Sequence, residues 1–135
     1  MSAISVDRAY KAIAKGIAKA KEIGSPSSIA IVDEGRNLVA FARMDGALLA
    51  SIEISMGKAY TARSLNMKTG DVGPLVQPGG PLFGMENSHR QPFVVFGGGF
   101  PVTVGGGVVG AVGVAGGLVE QDEEVAGAVL TALTD

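Results

Sequence analysis

The sequence predicts an α/β fold of the α+β type, in which an antiparallel sheet is flanked by helices. Short β-type runs follow one another across turn-sized gaps, and three longer segments have the apolar periodicity of helices. Strands joined by turns pair antiparallel, whereas strict alternation of strand and helix would favour a parallel sheet. Since 135 residues suit one hydrophobic core, we expect a single domain over residues 1–135.

The first predicted helix covers Ser5–Ile23. Its apolar residues fall on one helical stripe, and its lysines lie mostly outside that stripe. Ser5 can accept a hydrogen bond from a free amide at the start of the helix, and Gly24 can adopt the left-handed conformation that ends one. Pro26 then prevents the helix from continuing.

A β-hairpin and a second helix are expected next. Ile29–Asp33 and Leu38–Ala42 are β-type runs, and Gly35 between them is predicted to supply the turn geometry. The segment from Ala47 to about Leu65 is rich in helix-forming residues and has a small-residue face. Asp45 precedes this segment and is predicted to cap it.

The rest of the chain combines a long loop with the remaining elements. Residues 66–92 contain too many glycines and prolines for more than single turns, and loops of this length are often functional. Phe93–Phe96, Pro101–Val104 and a run that begins at Val108 are predicted strands, and Gln121–Leu133 is the last predicted helix.

Composition excludes several classes of protein. Hydrophobic residues make up 47% of the chain and charged residues 18%, with a net charge of -2, which argues against disorder and against nucleic-acid binding by a basic face. The chain has no cysteine, so disulfides and thiolate metal sites are ruled out. The longest apolar stretch, Val108–Val119, is broken by glycines and is shorter than the ~20 residues of a membrane helix.

Location and assembly follow from the same features. The N-terminal sequence lacks the pattern of a signal peptide, so we expect a cytoplasmic protein with no membrane partner. Aromatic residues are only 5% of the chain, and such thin packing favours assembly into a homo-oligomer.

Gly105–Gly110 matches the spacing of a dinucleotide-binding glycine motif. Such a motif needs a strand before it and a helix after it, because the helix N-terminus binds the pyrophosphate. Here the glycines lie between two predicted strands, so a hairpin turn is favoured.

The candidate site residues are polar side chains near predicted element ends. His89 is the only histidine, which excludes His-based triads and all-histidine zinc sites but leaves axial metal ligation, proton transfer or a plain surface role. Arg43 and Lys58 can hold a carboxylate by charge-assisted hydrogen bonds. Arg43 and Asp45 can equally pair with each other, and Glu86 is a further acid near the predicted crevice.

Several blocks resemble, in order, the GlcG/HbpS-like haem-binding family, which also forms the C-terminal domain of PduO-type proteins. The resemblance implies a profilin- or PAS-like fold with a five-stranded antiparallel sheet, usually assembled into oligomers. The turn at residues 34–37 and Ala115, where Ser is common, depart mildly from the family pattern. The matching blocks are Ser28–Ala47, Lys58–Arg63, Thr69–Pro81, Gly97–Val102 and Gly106–Ala126.

The resemblance implies a haem-binding protein in haem handling or redox sensing. Haem would be the cofactor. No family-wide motif fixes the iron ligand, so His89 is the candidate because it is the only imidazole, and Arg43 or Lys58 would meet the propionates. One alternative is a hydrolase or isomerase of a catabolic pathway that acts on an unsaturated carboxylic acid, in which His89, Asp45 or Glu86 transfers protons. Another is an accessory or assembly protein without chemistry, so the sequence leaves open whether the protein is an enzyme.

Overall fold

The sheet is built from two β-hairpins. In the computed structural model, which describes residues 3–134, the strands are β1 (Ser28–Asp33), β2 (Leu38–Arg43), β3 (Gly99–Val104) and β4 (Gly107–Ala115). They lie in the order β2-β1-β4-β3, and every pairing is antiparallel, as the sequence predicted. The expectation of five strands is wrong, because the described part of the chain forms a sheet of four.

Helices cover both faces of the sheet. α1 (Val6–Glu22) and α4 (Val119–Thr134) pack on one face, and α2 (Ser51–Leu65) packs on the other. Between α2 and β3 lie only a short helix, α3 (Thr69–Val72), and two 3₁₀ turns, which agrees with the predicted single turns; the 3₁₀ turns are Gly73–Val76 and Met85–Asn87. No helix within residues 3–134 is long and apolar enough to cross a bilayer.

The predicted caps of α1 are confirmed. The hydroxyl of Ser5 accepts a hydrogen bond from the backbone N–H of Arg8 at 3.2 Å, and Gly24 has a φ of 70° just after the helix. α1 then buries Ala12 and Ile13 against the sheet and α4, where Val129 is also fully buried. This face holds the larger of the two apolar clusters.

α2 begins later than predicted, at Ser51 rather than Ala47, and Asp45 does not cap it. The N-cap residue is Ala50, which has no side-chain acceptor for the first amides. Two turns precede the helix instead: the N–H of Ala47 donates to the carbonyl of Met44 at 3.1 Å, and the N–H of Ser51 donates to the carbonyl of Leu48 at 2.9 Å. These turns take up the chain between β2 and α2.

β4 lets α2 approach unusually closely. A Cβ built at Gly113 would collide with the carbonyl oxygen of Ser55 and would lie 2.5 Å from the backbone nitrogen of Ala59. The small residues of the predicted α2 face, Ala59 and Ala62, are fully buried against Ala30 of β1. The backbone of α2 therefore rests directly on the sheet.

The turn between β1 and β2 differs in detail from its prediction. Arg36, and not Gly35, adopts the left-handed conformation, with a φ of 67°. Oδ1 of Asp33 accepts hydrogen bonds from the N–H groups of Gly35 and Asn37 at 2.8 and 2.9 Å. Because the carboxylate of Asp33 fixes the amides of the turn, the residue with a positive φ is Arg36, one position after the glycine that was expected to adopt it.

The predicted strand at Phe93–Phe96 is wrong. These residues run beside α2, outside the sheet. The N–H of Val94 donates to Oγ1 of Thr61 at 2.9 Å, and the N–H of Phe93 donates to the carbonyl of Glu86 at 3.1 Å. Two amides that could have joined a sheet are therefore satisfied by a helix side chain and a local turn.

Candidate functional site

An open, largely apolar slot lies between α2 and the segment 91–94. Its volume is about 490 Å³, within the roughly 300–1,000 Å³ of small-molecule sites. Residues of α2, about one turn apart, form one wall, and the segment 91–94 forms the other. The β1–β2 hairpin closes one end of the slot. The lining residues are Glu53, Ile54, Met56, Gly57 and Tyr60 of α2, Gln91, Pro92 and Val94 of the segment, and Val32, Arg36 and Leu38 of the hairpin.

The slot depends on how the segment is attached to α2. A Cβ at Gly57 would lie only 2.6 Å from Cγ2 of Val94, so the missing side chain lets the segment approach the helix. One turn further along, the Thr61 hydroxyl is fixed by the carbonyl of Gly57 at 2.7 Å and receives the N–H of Val94. These contacts set the width of the slot.

Arg36 closes the hairpin end of the slot with a cation. Its guanidinium lies 4.7 Å from the centroid of the Tyr60 ring, and it donates to the Tyr60 hydroxyl at 3.2 Å and to Oγ of Ser64 at 3.1 Å. The stacking and the two hydrogen bonds hold the guanidinium beside the apolar walls.

A smaller polar pocket of about 190 Å³ continues from Arg36; it is lined by Glu34, Arg36, Arg63, Ser64 and His89. Nε of Arg63 donates to the carbonyl of Glu34 at 2.8 Å, which ties the end of α2 to the hairpin turn. Arg36 lines both the slot and this pocket, so the two spaces share one wall. An apolar space therefore adjoins a pocket with two guanidinium groups.

His89 lines the polar pocket, close to the aromatic rings of Phe93 and Tyr60. Its ring centroid lies 4.4 Å from that of Phe93 and 6.2 Å from that of Tyr60, and Nδ1 is 2.9 Å from Oγ of Ser88. Because Nδ1 is engaged, Nε2 is the nitrogen that can bind a metal. Among residues 3–134, no cluster of three or more His, Cys, Asp or Glu side chains could hold a metal ion.

The other predicted site residues do not join His89. Arg43 and Asp45 line a separate pocket of about 520 Å³ at the end of α1, together with Lys21 and Ser25. Glu86 lies in a 3₁₀ turn, where its carbonyl accepts from Phe93 and its Oε1 is buried without a hydrogen-bond partner among the described residues. The structure thus distributes the predicted residues over different spaces.

Lys58 is fully buried on the sheet side of α2. Its Nζ donates to the carbonyl of Val114 at 2.8 Å and to Oδ2 of Asp122 at 3.0 Å, while Oδ1 of Asp122 accepts the N–H of Gly117 at 2.9 Å. Burial lowers the pKa of Lys58 and raises the pKa of Asp122, and the attraction between the two charges opposes both shifts. Lys58 is therefore engaged away from the slot.

The family of the chain follows from its match to a family model. The model for "Haem degrading protein HbpS-like" matches residues 4–131. The chain belongs to the HbpS-like family. The resemblance found in the sequence is thereby confirmed. An uncharacterised 15.0 kDa protein from the dhaT-dhaS intergenic region of Citrobacter freundii is 46% identical over 119 residues, which are 87% of this HbpS-like chain and 84% of that protein.

Solved structures share the whole fold of this HbpS-like chain. Protein ORFY of Klebsiella pneumoniae has a TM-score of 0.95 and 38% sequence identity, and the match covers 98% of this chain and 92% of that chain. A PduOC:haem complex has a TM-score of 0.93 and 30% identity, and the match covers 99% of this chain and 100% of that chain. The fold is therefore one that has been crystallised with haem.

Sequence reasoning missed several residues that shape the sites of the HbpS-like chain. Arg36 belongs to the expected hairpin turn, Tyr60 to the second predicted helix and Phe93 to a predicted strand. No local pattern links them to His89, although an arginine and an aromatic residue on neighbouring elements can suggest a stacked pair. Asp122 lies in the last predicted helix, and no local pattern indicates its ion pair with Lys58.

Proposed function

We propose that this protein binds haem in the slot between α2 and residues 91–94, with His89 as the iron ligand and Arg36 and Arg63 facing the propionates. One observation carries the proposal: an apolar slot adjoins a polar pocket that holds an imidazole and two guanidinium groups. Haem has a flat apolar body, two carboxylates and an iron that imidazole ligates well. The similarity to a structure solved with haem supports the same ligand.

The cations of this proposal differ from those that the sequence suggested. Arg43 lies in the pocket at the end of α1, and the ammonium of Lys58 is already paired with Asp122. Arg36 and Arg63 line the pocket that contains His89, and each guanidinium is oriented by hydrogen bonds to neighbouring groups. A pre-oriented guanidinium binds a carboxylate with little further loss of conformational freedom.

The shape of the slot favours haem handling over permanent retention, since an open site encloses less of its ligand than a buried cavity. Bound haem would supply redox chemistry at its iron, so redox sensing is the other role that fits this proposal. The protein's own groups would orient the macrocycle and neutralise its carboxylates.

Haemin titration followed at the Soret band tests the proposal. We expect a saturable shift of the Soret band in the wild type, and loss of the part of that shift due to imidazole ligation in His89→Ala. Arg63→Ala should bind haemin roughly tenfold more weakly, because a charge-assisted hydrogen bond contributes about 1.5 kcal/mol. Lys11→Ala changes an exposed cation on α1 and serves as the matched control. A wild-type protein that gives no saturable shift would refute haem binding, and an unchanged spectrum in His89→Ala would refute the ligand assignment.

The protein is also proposed to act as a cytoplasmic homo-oligomer. Leu49 is 76% exposed, Phe83 66% and Leu118 67%, and contacts between subunits would cover such side chains. Size-exclusion chromatography with light scattering measures the mass in solution, and a strictly monomeric protein at micromolar concentration would contradict the assembly.

A second candidate function is an enzyme that acts on a small unsaturated carboxylic acid. The pocket at the end of α1 favours it, because Lys21 and Arg43 supply cations and Asp45 supplies a carboxylate around a space of about 520 Å³. Arg43 would anchor the acid and Asp45 would transfer a proton. Turnover of a muconate-like acid that disappears in Arg43→Ala but persists in His89→Ala would support this function over haem binding.

A further inference from the structure

A small chamber lies beside the buried Lys58–Asp122 pair. It is near the start of α2, whereas the polar pocket is near the end of this helix. Its volume is about 110 Å³, and Ser51, Phe96 and Gly116 contribute to its wall together with the two charged residues. Lys58 is 0% exposed and Asp122 3%, so both charges are almost completely removed from water. Buried ion pairs contribute little net stability compared with apolar residues of the same size, so such a pair beside a cavity points to a functional role.

We propose that Lys58 is a nucleophilic lysine that condenses with a small aldehyde or ketone in this chamber, with Asp122 as its proton-transfer partner. This proposal concerns a second site and does not depend on haem binding in the slot.

The hydrogen bonds of Lys58 prepare its nitrogen for this reaction. A lysine ammonium has three N–H donors. One points to the carbonyl of Val114 and one to Oδ2 of Asp122, at 2.8 and 3.0 Å. One tetrahedral position therefore remains on Nζ. It carries a hydrogen in the ammonium and the lone pair in the neutral amine.

Desolvation of Lys58 opposes its charged form. Burial lowers the pKa of Lys58 and raises that of Asp122, so the environment brings the proton affinities of the two groups closer together. The carboxylate of Glu123 also acts on Lys58 and, like Asp122, favours its charged form. A lysine that is desolvated in this way is the kind that forms imines with carbonyl compounds.

Nζ of Lys58 is covered in this structure, since Lys58 is 0% exposed, but the residues beside it include a glycine and a partly exposed aromatic ring. A Cβ at Gly98 would lie 2.7 Å from Nζ, so any larger residue at that position would crowd the nitrogen. The ring of Phe96 has its centroid 5.0 Å from Nζ, and this residue is 46% exposed. Phe96 thus separates Nζ from solvent, and its displacement would admit a ligand. A chamber of about 110 Å³ accepts only a few non-hydrogen atoms, since one water molecule occupies about 30 Å³ in the liquid.

The condensation needs no further reactant. Asp122 takes a proton from the Lys58 ammonium, and the freed amine attacks the carbonyl carbon. Asp122 returns this proton to the carbonyl oxygen, which leaves as water with a second hydrogen from nitrogen. The product is a protonated imine on Lys58 beside the Asp122 carboxylate, so the charges of the original pair are retained.

Reductive trapping tests the proposal with the full chain. The protein is treated briefly with acetaldehyde and cyanoborohydride near neutral pH, and N-ethylation of each lysine is measured by peptide mass spectrometry. We expect Lys58 to react severalfold faster than the exposed Lys11 and Lys15, because a lowered pKa raises the fraction of reactive neutral amine near neutral pH. A Lys58 that stays unmodified while Lys11 and Lys15 react would overturn the proposal and leave the pair as a structural ion pair.

A bulky aldehyde and a variant of Phe96 provide the controls. Benzaldehyde should label Lys11 and Lys15 but not Lys58, because the chamber is too small for it, whereas equal labelling of all three would show that global opening exposes Lys58. Phe96→Ala should speed ethylation of Lys58 severalfold and leave Lys11 unchanged. Ethylation of Lys58 that is no faster in Phe96→Ala would refute the access route. Haemin binding is measured separately at the slot, so failure of either proposal leaves the other standing.

Discussion

The guanidinium of Arg36 lies over the ring of Tyr60, 4.7 Å from its centroid, and joins the β1–β2 turn to α2. Arg36 holds this position from a left-handed backbone conformation, with a φ of 67°. A non-glycine residue pays for that conformation with roughly 1 kcal/mol. The orientation of one cation at the mouth of the slot is therefore maintained against the local backbone preference.

Replacing Arg36 by glycine should separate stability from binding. In Arg36→Gly, relief of the backbone conformation offsets the loss of exposed contacts, so the free energy of unfolding should stay within about 1 kcal/mol of the wild type. Haemin affinity should fall about tenfold. Urea denaturation measures the stability, and haemin titration measures the affinity. Arg36→Lys keeps the charge, so its haemin affinity should lie between those of the wild type and Arg36→Gly. Undiminished affinity in Arg36→Gly would remove Arg36 from the proposed site.

Two glycine-to-alanine variants should have opposite effects. Gly113→Ala places a methyl group against the backbone of α2 at Ser55, which should destabilise the fold by about 3 kcal/mol or more. Gly127 lies within α4 and has no atom within 4 Å of a built Cβ, so Gly127→Ala should stabilise by about 0.5–1 kcal/mol. Thermal and urea unfolding measure both changes. A tolerated Gly113→Ala would mean that α2 does not rest on β4 as closely as described.

Removing one charge of the buried pair should cost more than removing both. Lys58→Met leaves the Asp122 carboxylate buried without its counter-ion, and such changes cost about 3–5 kcal/mol. In Lys58→Met/Asp122→Asn the second change removes that charge and keeps an acceptor for the N–H of Gly117, so most of the loss should be recovered. Chemical denaturation of the wild type, the single variants Lys58→Met and Asp122→Asn, and the double variant gives the coupling energy. A double variant as unstable as Lys58→Met would show that packing, and not charge, dominates at this position.

The stability loss of Lys58→Met should depend on pH. Burial already raises the pKa of Asp122 above its ordinary value of 3.8, and loss of the Lys58 ammonium removes an influence that lowers it. A carboxyl group whose pKa is raised in the folded state binds its proton more tightly there than in the unfolded chain. Its protonated form therefore adds to the free energy of unfolding at low pH, and this contribution is lost as pH rises through the folded-state pKa. The deficit relative to the wild type should therefore be smaller at about pH 4 than at about pH 8. An equal deficit at both values would contradict the assignment to Asp122.

Local rules predicted the parts of the fold that depend on neighbouring residues. Ser5 and Gly24 bound α1 as expected, because capping involves atoms only a few residues apart. The turn at Arg36 departed from the glycine rule because the side chain of Asp33 organises its amides. The helix start at Ser51 differed because the preceding residues satisfy one another in a turn.

Features that join distant residues were beyond the reach of sequence patterns. Phe93–Phe96 has a strand-like composition, but the partner of Val94 is a hydroxyl that lies 33 residues earlier in the chain. The charge of Lys58 and its position near a predicted element end indicate a binding residue, but its partner Asp122 lies 64 positions away. His89 was found because it is the only histidine, whereas Tyr60 and Phe93 beside it carry no distinctive local signal.

The close packing of α2 on β4 determines how the slot can adapt to a ligand. With the helix backbone in contact with Gly113, α2 has no space to retreat toward the sheet. Any widening must come from the opposite wall, where the Thr61–Val94 hydrogen bond is a principal tether. Breaking this hydrogen bond would let Pro92 and its neighbours move outward while α2 and the sheet stay in place. A larger ligand would therefore be accommodated by the segment 91–94 and not by rearrangement of the domain.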